Sequence, residues 1–417
     1  MQLARSRQDQ PQNSNCRGIE ARLAAFHEGR DLEILAQKLE LIGKDAFSFF
    51  RGTCFLFYED LETESLPESP VIWATGDLHL QNFGTYKGDN RLCYFDVNDF
   101  DECGLVPASF ELVRMCASIY SANFRKPDKL TASFLGSYAS TLERGKAIWL
   151  ERAASRGPIR DLLLDLKHRK RAEFLAKRVK NGKIVADGRR AMPLPKARIL
   201  ELAKFFEDYS KHQVQGQRFF RLIDAARRVA GNGSLGLERY VLLVEGRGGT
   251  SGAFLLDLKV QPGSALLRAN GVPAQPQFAS EAERVATIQF WSQAVSPALL
   301  DAVIFEGRPF LLHELLPTDD RLDFASIPAA KAELCLKDMG GILASSHLRS
   351  AGRKGSAGPE ELMEFGASGR HWESQLLDSA RTAAAFMRAH WEEYRQGRFA
   401  GDRCVASKAS KPGKSAS

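Results

Sequence analysis

The sequence of 417 residues contains no run of 18 or more apolar residues, which is the minimum that a membrane-spanning helix needs. Residues 1–18 are polar and charged, where a secretory signal peptide would carry an apolar segment. We therefore expect a cytoplasmic protein that does not bind a membrane.

The seven cysteines are scattered and never form a C-x-x-C pair: Cys16, Cys54, Cys93, Cys103, Cys116, Cys335 and Cys404. An odd number without short spacings favours neither a disulfide framework nor a zinc site. We interpret them as reduced thiols that mostly fill the core.

The composition, 44% hydrophobic and 26% charged, is typical of a folded globular protein, and the length is enough for two or three cores. The net charge is +7. Basic runs occur at Lys167–Arg171, at Lys177–Lys183 and in the low-complexity end Ser407–Ser417. No aromatic residues are interleaved through the two internal runs, so we interpret them as solvated helix faces. Nucleic acid is left open as a partner, but it is disfavoured.

Short-range patterns predict how the chain approaches a central loop. Apolar residues recur at helical spacing from Ile19 to Asp45, and a second apolar stretch covers Phe47–Leu61. Val71–Thr75 is β-prone and ends directly on Gly76 and Asp77. Asn82–Lys87 and Arg91–Val97 flank a Gly-Asp-Asn turn, which predicts a hairpin. A helix is expected over Phe110–Phe124.

The later part changes character near residue 225. Arg239–Val244, Ala253–Val260 and Ala302–Leu316 predict strands and turns, whereas Lys331–Leu348 predicts a helix with internal glycines. The expected organisation is a disordered tail (1–18), a catalytic part (19–130), a basic helical insertion (131–224), a β-rich nucleotide-binding lobe (225–318), C-terminal helices (319–400) and a disordered basic tail (401–417).

The central loop has the residue types and the spacing of a phosphoryl-transfer site. Asp77 and Asn82 reproduce the D-x-x-x-x-N pattern, in which the aspartate accepts the substrate proton and the asparagine binds magnesium. Asp96, Asp99 and Asp101 compete to be the second magnesium ligand. Asp96 has the better hairpin spacing, and Asp99 begins a sequence closer to D-F-G.

A second set of residues has the pattern of a nucleotide phosphate cradle. Gly231–Gly236 is a G-x-G-x-x-G segment that leads into a strand rather than a helix, which disfavours a dinucleotide-binding fold. Lys259 closes the following strand, as the β3 lysine of a kinase does. The candidate ATP-binding residues are Gly231, Gly233, Ser234, Gly236 and Lys259.

Several of these residues also have ordinary structural interpretations. His79 could be a proton carrier or metal ligand, although one loop histidine more often makes a structural hydrogen bond. Arg51 could brace the acidic cluster, contact phosphate, or be a buried hydrogen-bonding residue. Asp101 and its neighbour could form a solvated acidic turn, and Lys259 could be an edge-strand lysine.

Five segments resemble the bacterial family named domain of unknown function 2252, over most of the chain: FFRG (Phe49–Gly52), GDLHLQNFG (Gly76–Gly84), FDVNDFDE (Phe95–Glu102), VAGNGSLG (Val229–Gly236) and LDLKV (Leu256–Val260). Gly76–Asn82 and Asp99–Leu112 also resemble motifs of aminoglycoside and choline/homoserine-type phosphotransferases. The resemblance implies that Asp77 is the catalytic base, that Asn82 with Asp96 or Asp99 binds metal, and that Glu111 braces the loop.

The order of the motifs differs from that in ordinary kinases. The glycine segment follows Asp77 by more than 150 residues instead of preceding it, and Met339–Leu348 resembles the helix that normally leads into the catalytic loop. The resemblance therefore implies an α+β, protein-kinase-like two-lobed fold in circularly permuted order, with a mainly helical catalytic lobe and a β-rich nucleotide lobe. Glu281 and Glu283 are candidate partners for Lys259.

The favoured function is an ATP- and Mg²⁺-dependent phosphotransferase that acts on a hydroxyl group of a small molecule or a protein. Nucleotidyl transfer by the same cradle is left open. A metal-dependent phosphoesterase or nuclease is a second hypothesis, although such sites need several histidines and only His79 lies near the acidic run. A third is a pseudokinase module that binds nucleotide without turnover. The sequence does not define the acceptor or the oligomeric state.

Overall fold

The computed structural model describes residues 18–230, 235–249 and 252–409, with side chains omitted at 369–370 and 398–409, and shows an α+β protein. Gly231, Gly233 and Ser234 of the predicted cradle lie outside the described residues, as do residues 1–17 and 410–417 of the two predicted tails.

The helices are α1 (Ile19–Phe26), α2 (Leu32–Gly43), α3 (Ala46–Gly52), α4 (Cys54–Glu59), α5 (Ala108–Ser121), α6 (Pro127–Glu143), α7 (Gly157–Asp165), α8 (Arg171–Ala176), α9 (Lys196–Ser210), α10 (Glu281–Ser292), α11 (Ala329–Ser350), α12 (Pro359–Ala367) and α13 (Gly369–Ala409). The strands are β1 (Val71–Ala74), β2 (Phe83–Lys87), β3 (Cys93–Val97), β4 (Gly104–Pro107), β5 (Leu150–Glu151), β6 (Val179–Lys180), β7 (Lys183–Ile184), β8 (Ala191–Met192), β9 (Leu222–Arg228), β10 (Arg239–Val244), β11 (Phe254–Val260), β12 (Asp301–Phe305), β13 (Arg308–Glu314) and β14 (Asp320–Arg321).

A six-stranded antiparallel sheet has the order β12-β13-β11-β10-β9-β8. Side chains of a strand point alternately to the two faces of the sheet, and an apolar cluster covers each face. Tyr240 and Leu242 belong to one apolar cluster with Phe206 of α9. Val241 belongs to a second cluster with Leu175 of α8. The sheet is therefore a layer between two small cores.

The largest core lies among the long helices. Its buried residues include Phe134 of α6, Met115 of α5 and Met339 of α11. Gly340 of α11 lets two of these helices approach closely, because a Cβ atom there would lie 2.3 Å from the Phe134 carbonyl oxygen. This close approach explains a glycine inside a predicted helix.

The predicted β2–β3 hairpin is confirmed, with Gly84 opposite Asp96. The segment 131–224 is not a single helical insertion: most of α6 packs in the large helical core, whereas β8 pairs with β9 and α9 covers the six-stranded sheet. The chain needs both elements to complete cores that other segments begin.

Two helices, α12 and α13, follow α11, and α13 continues to Ala409, beyond the predicted start of the tail at 401. The five cysteines whose side chains are described are free thiols, and four of them are buried. Across the described residues, no helix combines the length and the apolar character needed to span a membrane.

Candidate functional site

The loop after β1 requires glycine at its first position. Gly76 has φ +86°, and a Cβ atom there would lie 2.0 Å from the Glu102 carbonyl oxygen. The buried Tyr58 hydroxyl donates a hydrogen bond to the Gly76 carbonyl oxygen. Glycine therefore allows the loop to lie directly against the acidic segment Asp99–Glu102.

Asp77 forms an ion pair with Arg114 of α5, whose side chain has no exposed surface. Arg114 donates two hydrogen bonds to Oδ1 of Asp77, one from Nε at 3.2 Å and one from the terminal guanidinium, and a third to the Phe50 carbonyl oxygen at 3.3 Å. The Arg114 guanidinium also lies 4.5 Å from the centre of the Phe50 ring. Burial raises the pKa of Asp77, and the positive charge of Arg114 opposes that rise.

Asn82 closes the loop. The side-chain Nδ2 of Asn82 donates a hydrogen bond to the backbone carbonyl oxygen of Asp77 at 2.5 Å. The backbone carbonyl oxygen of Asn82 accepts a hydrogen bond from the backbone amide of Asn98 at 2.8 Å. Since the amide nitrogen is used internally, the side-chain oxygen of Asn82 is the end that can bind a cation. No donor to this oxygen is found in the part of the chain that the structure describes.

His79 is buried and its Nδ1 accepts a hydrogen bond from the Gln81 amide at 3.1 Å. Burial, together with the positive charges of Arg51 and Arg114, holds the pKa of His79 well below its ordinary value. The imidazole is therefore neutral at physiological pH, and it orients the turn that ends at Asn82.

The acidic segment brings three carboxylates, those of Asp99, Asp101 and Glu102, next to the loop. Burial and the neighbouring charge of Asp101 raise the pKa of Asp99 to about 6. Asp101 forms an ion pair with Lys259 of β11, and its carbonyl oxygen accepts hydrogen bonds from Gln261 at 3.0 Å and Arg284 at 3.1 Å. Burial raises the pKa of Glu102 to about 7.

The structure does not bring Asp96 to this site, contrary to one of the two sequence-based alternatives. Its carboxylate accepts hydrogen bonds from the amides of Val97 at 2.9 Å and Ala294 at 3.1 Å and from Arg349 at 3.1 Å. The side chain is 2% exposed and lines neither of the two cavities described below. Asp96 ties β3 to α11 and to the chain after α10.

Glu111 lies behind the loop. Its carboxylate accepts hydrogen bonds from the Thr75 amide at 2.7 Å and from the Thr75 hydroxyl. Its other oxygen contacts Nε2 of His347 in α11 at 2.8 Å, and Nδ1 of that histidine contacts the Tyr138 hydroxyl at 2.8 Å. Glu111 thus connects the end of β1 to two helices of the large core.

Glu281 and Glu283, the two expected partners of Lys259, form other contacts in the structure. Glu281 forms an ion pair with Arg284, and Glu283 accepts a hydrogen bond from the Ala279 amide at 2.5 Å at the start of α10. Gly236 has φ +88° and its carbonyl oxygen accepts a hydrogen bond from the Asp31 amide at 3.3 Å. The described end of the glycine segment therefore contacts the turn between α1 and α2.

Two cavities meet at the acidic segment. The first, of about 950 Å³, lies between α1–α4 and one end of strands β9, β10, β11 and β13 of the six-stranded sheet, and Asp77, His79 and Asn82 line it. The second, of about 460 Å³, is lined by Lys259, by residues of α10 and by residues 313–316. Both cavities are lined by Asp99, Asp101 and Arg321.

Three basic residues at this site belong to none of the sequence motifs: Arg114, Lys38 and Arg321. Arg114 lies inside the apolar run of α5, three residues after Glu111, and Lys38 lies with Ile34 and Ile42 on the buried face of α2. A charged residue on an otherwise apolar helix face was the available signal. Arg321 had no such signal.

The donors at the site suit magnesium. In the described part of the chain, no group of three or more His, Cys, Asp or Glu side chains is arranged to hold a metal ion. Asp99 and Asn82, however, both line the first cavity and supply hard oxygen donors. Magnesium that is bound together with nucleotide phosphates usually takes only one or two protein carboxylates and keeps several waters.

The fold and the site define an α+β protein with a G-D-x-H-x-x-N loop and an acidic segment at the junction of two cavities. The chain belongs to the family described as "uncharacterized protein conserved in bacteria (DUF2252)", whose model matches residues 30–397. Comparison with curated proteins and with solved structures gave no match.

Proposed function

We propose that this protein is an ATP- and Mg²⁺-dependent phosphotransferase with a circularly permuted, kinase-like two-lobed arrangement. The observation that carries the proposal is the meeting of Asp101 with Lys259, 158 residues apart in sequence, beside Asp77. Phosphoryl transfer needs a base, oxygen ligands for magnesium and a cation for the phosphates. This junction of the two cavities supplies residue types for each of them.

The order of elements in the β-rich part supports the kinase-like arrangement. A strand, the glycine segment, a second strand, the strand with Lys259 and the helix α10 follow one another. This is the order of glycine-rich loop, β3 lysine and αC helix in kinases. Lys259 pairs with Asp101 rather than with a glutamate of α10, so the proposed site differs from a kinase in that contact.

In this proposal the second cavity holds the nucleotide. Apolar side chains of Val285, Leu311 and Leu316 line it together with Lys259, which suits an aromatic base at one end and phosphates at the other. Asp99 and Asn82 would hold magnesium, which neutralises charge on the transferred phosphoryl group.

The first cavity holds the acceptor, because Asp77 lines that cavity and not the second. Arg114 fixes the Asp77 carboxylate through Oδ1, so Oδ2 is the oxygen that accepts the proton of the acceptor hydroxyl. Glu111 and His347 hold the strand that carries the loop. We place the protein in the cytoplasm, which is consistent with its free thiols.

Replacing Lys259 with methionine tests the assignment of the nucleotide cavity. We expect the affinity for Mg-ATP to fall about tenfold or more, because a hydrogen bond from a charged donor contributes roughly 1.5–3 kcal/mol. Isothermal titration calorimetry of the full chain measures this change. Lys180→Met, on exposed β6, is the matched control and should bind as the unmodified protein does. If the unmodified protein does not bind Mg-ATP at millimolar concentration, the proposal is wrong.

A further inference from the structure

The wall of the first cavity carries an arginine that forms no ion pair with a described carboxylate, although the charges of Asp77, Asp45 and Asp99 act on it from a greater distance. Arg51 lines the cavity, and within the described residues its side chain has neither a hydrogen bond nor an ion pair. Its Nε atom is buried without a partner. The guanidinium lies 5.7 Å from the centre of the Phe47 ring. Burial of an unpaired guanidinium costs free energy, which a bound anion would recover.

Other arginines around the same cavity are used internally. The pairs are Arg198 with Glu306 at 2.7 Å, Arg227 with Asp31 at 2.7 Å, Arg268 with Glu59 at 2.7 Å, and Arg308 with Glu238. Arg321 resembles Arg51 instead, because its side chain makes no hydrogen bond or ion pair to the residues that the structure describes. Two cations therefore face the space in front of Asp77.

Local packing fixes the position of Arg51. It lies in the last turn of α3, and Gly52 after it allows α2 to approach so closely that a Cβ atom there would lie 2.3 Å from Cγ2 of Ile42. Lys38 of α2 lines the same cavity and is 1% exposed. Burial and the nearby Arg321 lower the pKa of Arg51 to about 10, so it remains a cation at neutral pH.

The position of these cations assigns them to the acceptor. Arg51 lines only the first cavity, whereas Arg321 lines both. An anion that contacts Arg51 would therefore lie on the side of Asp77, away from Lys259. The cavity volume of about 950 Å³ is in the range of small-molecule sites.

We infer that the acceptor is a small hydroxylated molecule that carries a phosphate or carboxylate group, and that Arg51 anchors this anionic group while Arg321 adds positive charge. This inference rests on the proposed function, since it names the class of acceptor for the same site. Guanidinium groups bind phosphate and carboxylate through two parallel hydrogen bonds, which gives both affinity and orientation.

Matched probes that differ only in the anionic group test the inference. The sets are glucose, gluconate and glucose 6-phosphate, and glycerol, glycerate and glycerol 3-phosphate. We expect at least one anionic member to bind the full chain at least tenfold more tightly than its neutral counterpart, as measured by calorimetry without nucleotide. Whether the phosphate or the carboxylate member of a set binds more tightly identifies the anionic group that the site prefers. Transfer of labelled phosphate from Mg-ATP should show the same preference.

Arg51→Gln is expected to remove this preference, because the affinity for the anionic probe should fall tenfold or more while the affinity for the neutral probe changes little. Arg51→Lys should retain part of it, since charge remains but the paired hydrogen bonds are lost. Arg125→Gln, exposed between α5 and α6, is the control and should change nothing. Arg321→Gln, on an exposed side chain, provides a second variant if thermal unfolding shows that Arg51→Gln is not folded.

Equal binding of anionic and neutral probes by the unmodified protein would overturn the inference, as would no binding of any anionic probe. If Arg51→Gln lowers the rate of phosphate transfer from Mg-ATP equally for anionic and neutral acceptors, Arg51 is instead assigned to the transferred phosphoryl group. If anions bind through Arg51 but Mg-ATP is neither bound nor consumed, the proposed function fails and the anion site stands.

Discussion

Replacement of Asp77 with asparagine is expected to lower the rate of phosphoryl transfer by a factor of about 10²–10⁴, because a general base contributes about that much. Asparagine keeps the shape of the side chain and an Oδ1 atom that can still accept the bonds from Arg114. It cannot accept the proton of the acceptor. Mg-ATP affinity should change little, since Asp77 does not line the second cavity.

The measurement is the rate of phosphate transfer at saturating Mg-ATP, together with calorimetric binding of the nucleotide. Asp89→Asn is the control, because Asp89 is exposed at the turn between β2 and β3 and should leave both values unchanged. An unchanged rate in Asp77→Asn would contradict the role of base. If the unmodified protein binds Mg-ATP but transfers nothing to any acceptor, the nucleotide-binding module becomes the better description.

Local patterns were sufficient for much of the scaffold. The strand Arg239–Val244 occurs with the predicted bounds, and the turn after Lys87 closes the expected hairpin. Asp77 and Asn82 share a loop because they are only five positions apart, so their proximity does not depend on tertiary packing. Such features depend on neighbours in sequence and can be read from it.

The choice between Asp96 and Asp99 could not be made in this way. The partners of Asp96, the Ala294 amide and Arg349, lie 198 and 253 residues away, and nothing near Asp96 indicates them. The ion pair of Lys259 with Asp101 could not be predicted either, because the two residues are also far apart in sequence. Glu281 and Arg284 are three positions apart and lie on the same side of α10, so periodicity alone did not show that Arg284, and not Glu281, would contact Asp101.

The junction of two cavities was not predictable either, since it depends on how the six-stranded sheet faces α1–α4. Residues 131–224 illustrate the reason. Their composition indicated basic helices, but β8 has only two residues and acquires its role by pairing with β9. Short elements of this kind carry too little pattern to be distinguished from a turn.

Asp257 of β11 is expected to be the largest single contributor to stability near the second cavity. Its fully buried carboxylate contacts Arg228, Arg239 and, at 3.0 Å, Nε2 of His313. Asp257→Leu leaves two arginines without their buried partner, and loss of one member of such a pair costs about 3–5 kcal/mol of unfolding free energy. Urea unfolding at pH 7 measures the change. Asp89→Leu, exposed, should alter it by less than about 0.5 kcal/mol.

The pH dependence distinguishes an electrostatic effect from lost packing. Burial alone would raise the pKa of Asp257, but the charges of Arg228 and Arg239 outweigh it and hold the pKa well below its ordinary value. A carboxyl group whose pKa is lower in the folded state stabilises the fold above its unfolded pKa of about 3.9. That contribution is lost as the pH falls from there toward the folded pKa.

The difference in stability between the unmodified protein and Asp257→Leu should therefore be constant from pH 5 to 7 and shrink below about pH 4. A difference that does not change with pH would assign the loss to packing. Because Arg228, Arg239 and His313 all line the second cavity, Asp257→Leu should also weaken Mg-ATP binding under conditions in which the variant is still folded. The same carboxylate then stabilises the sheet and orients cations toward the proposed nucleotide.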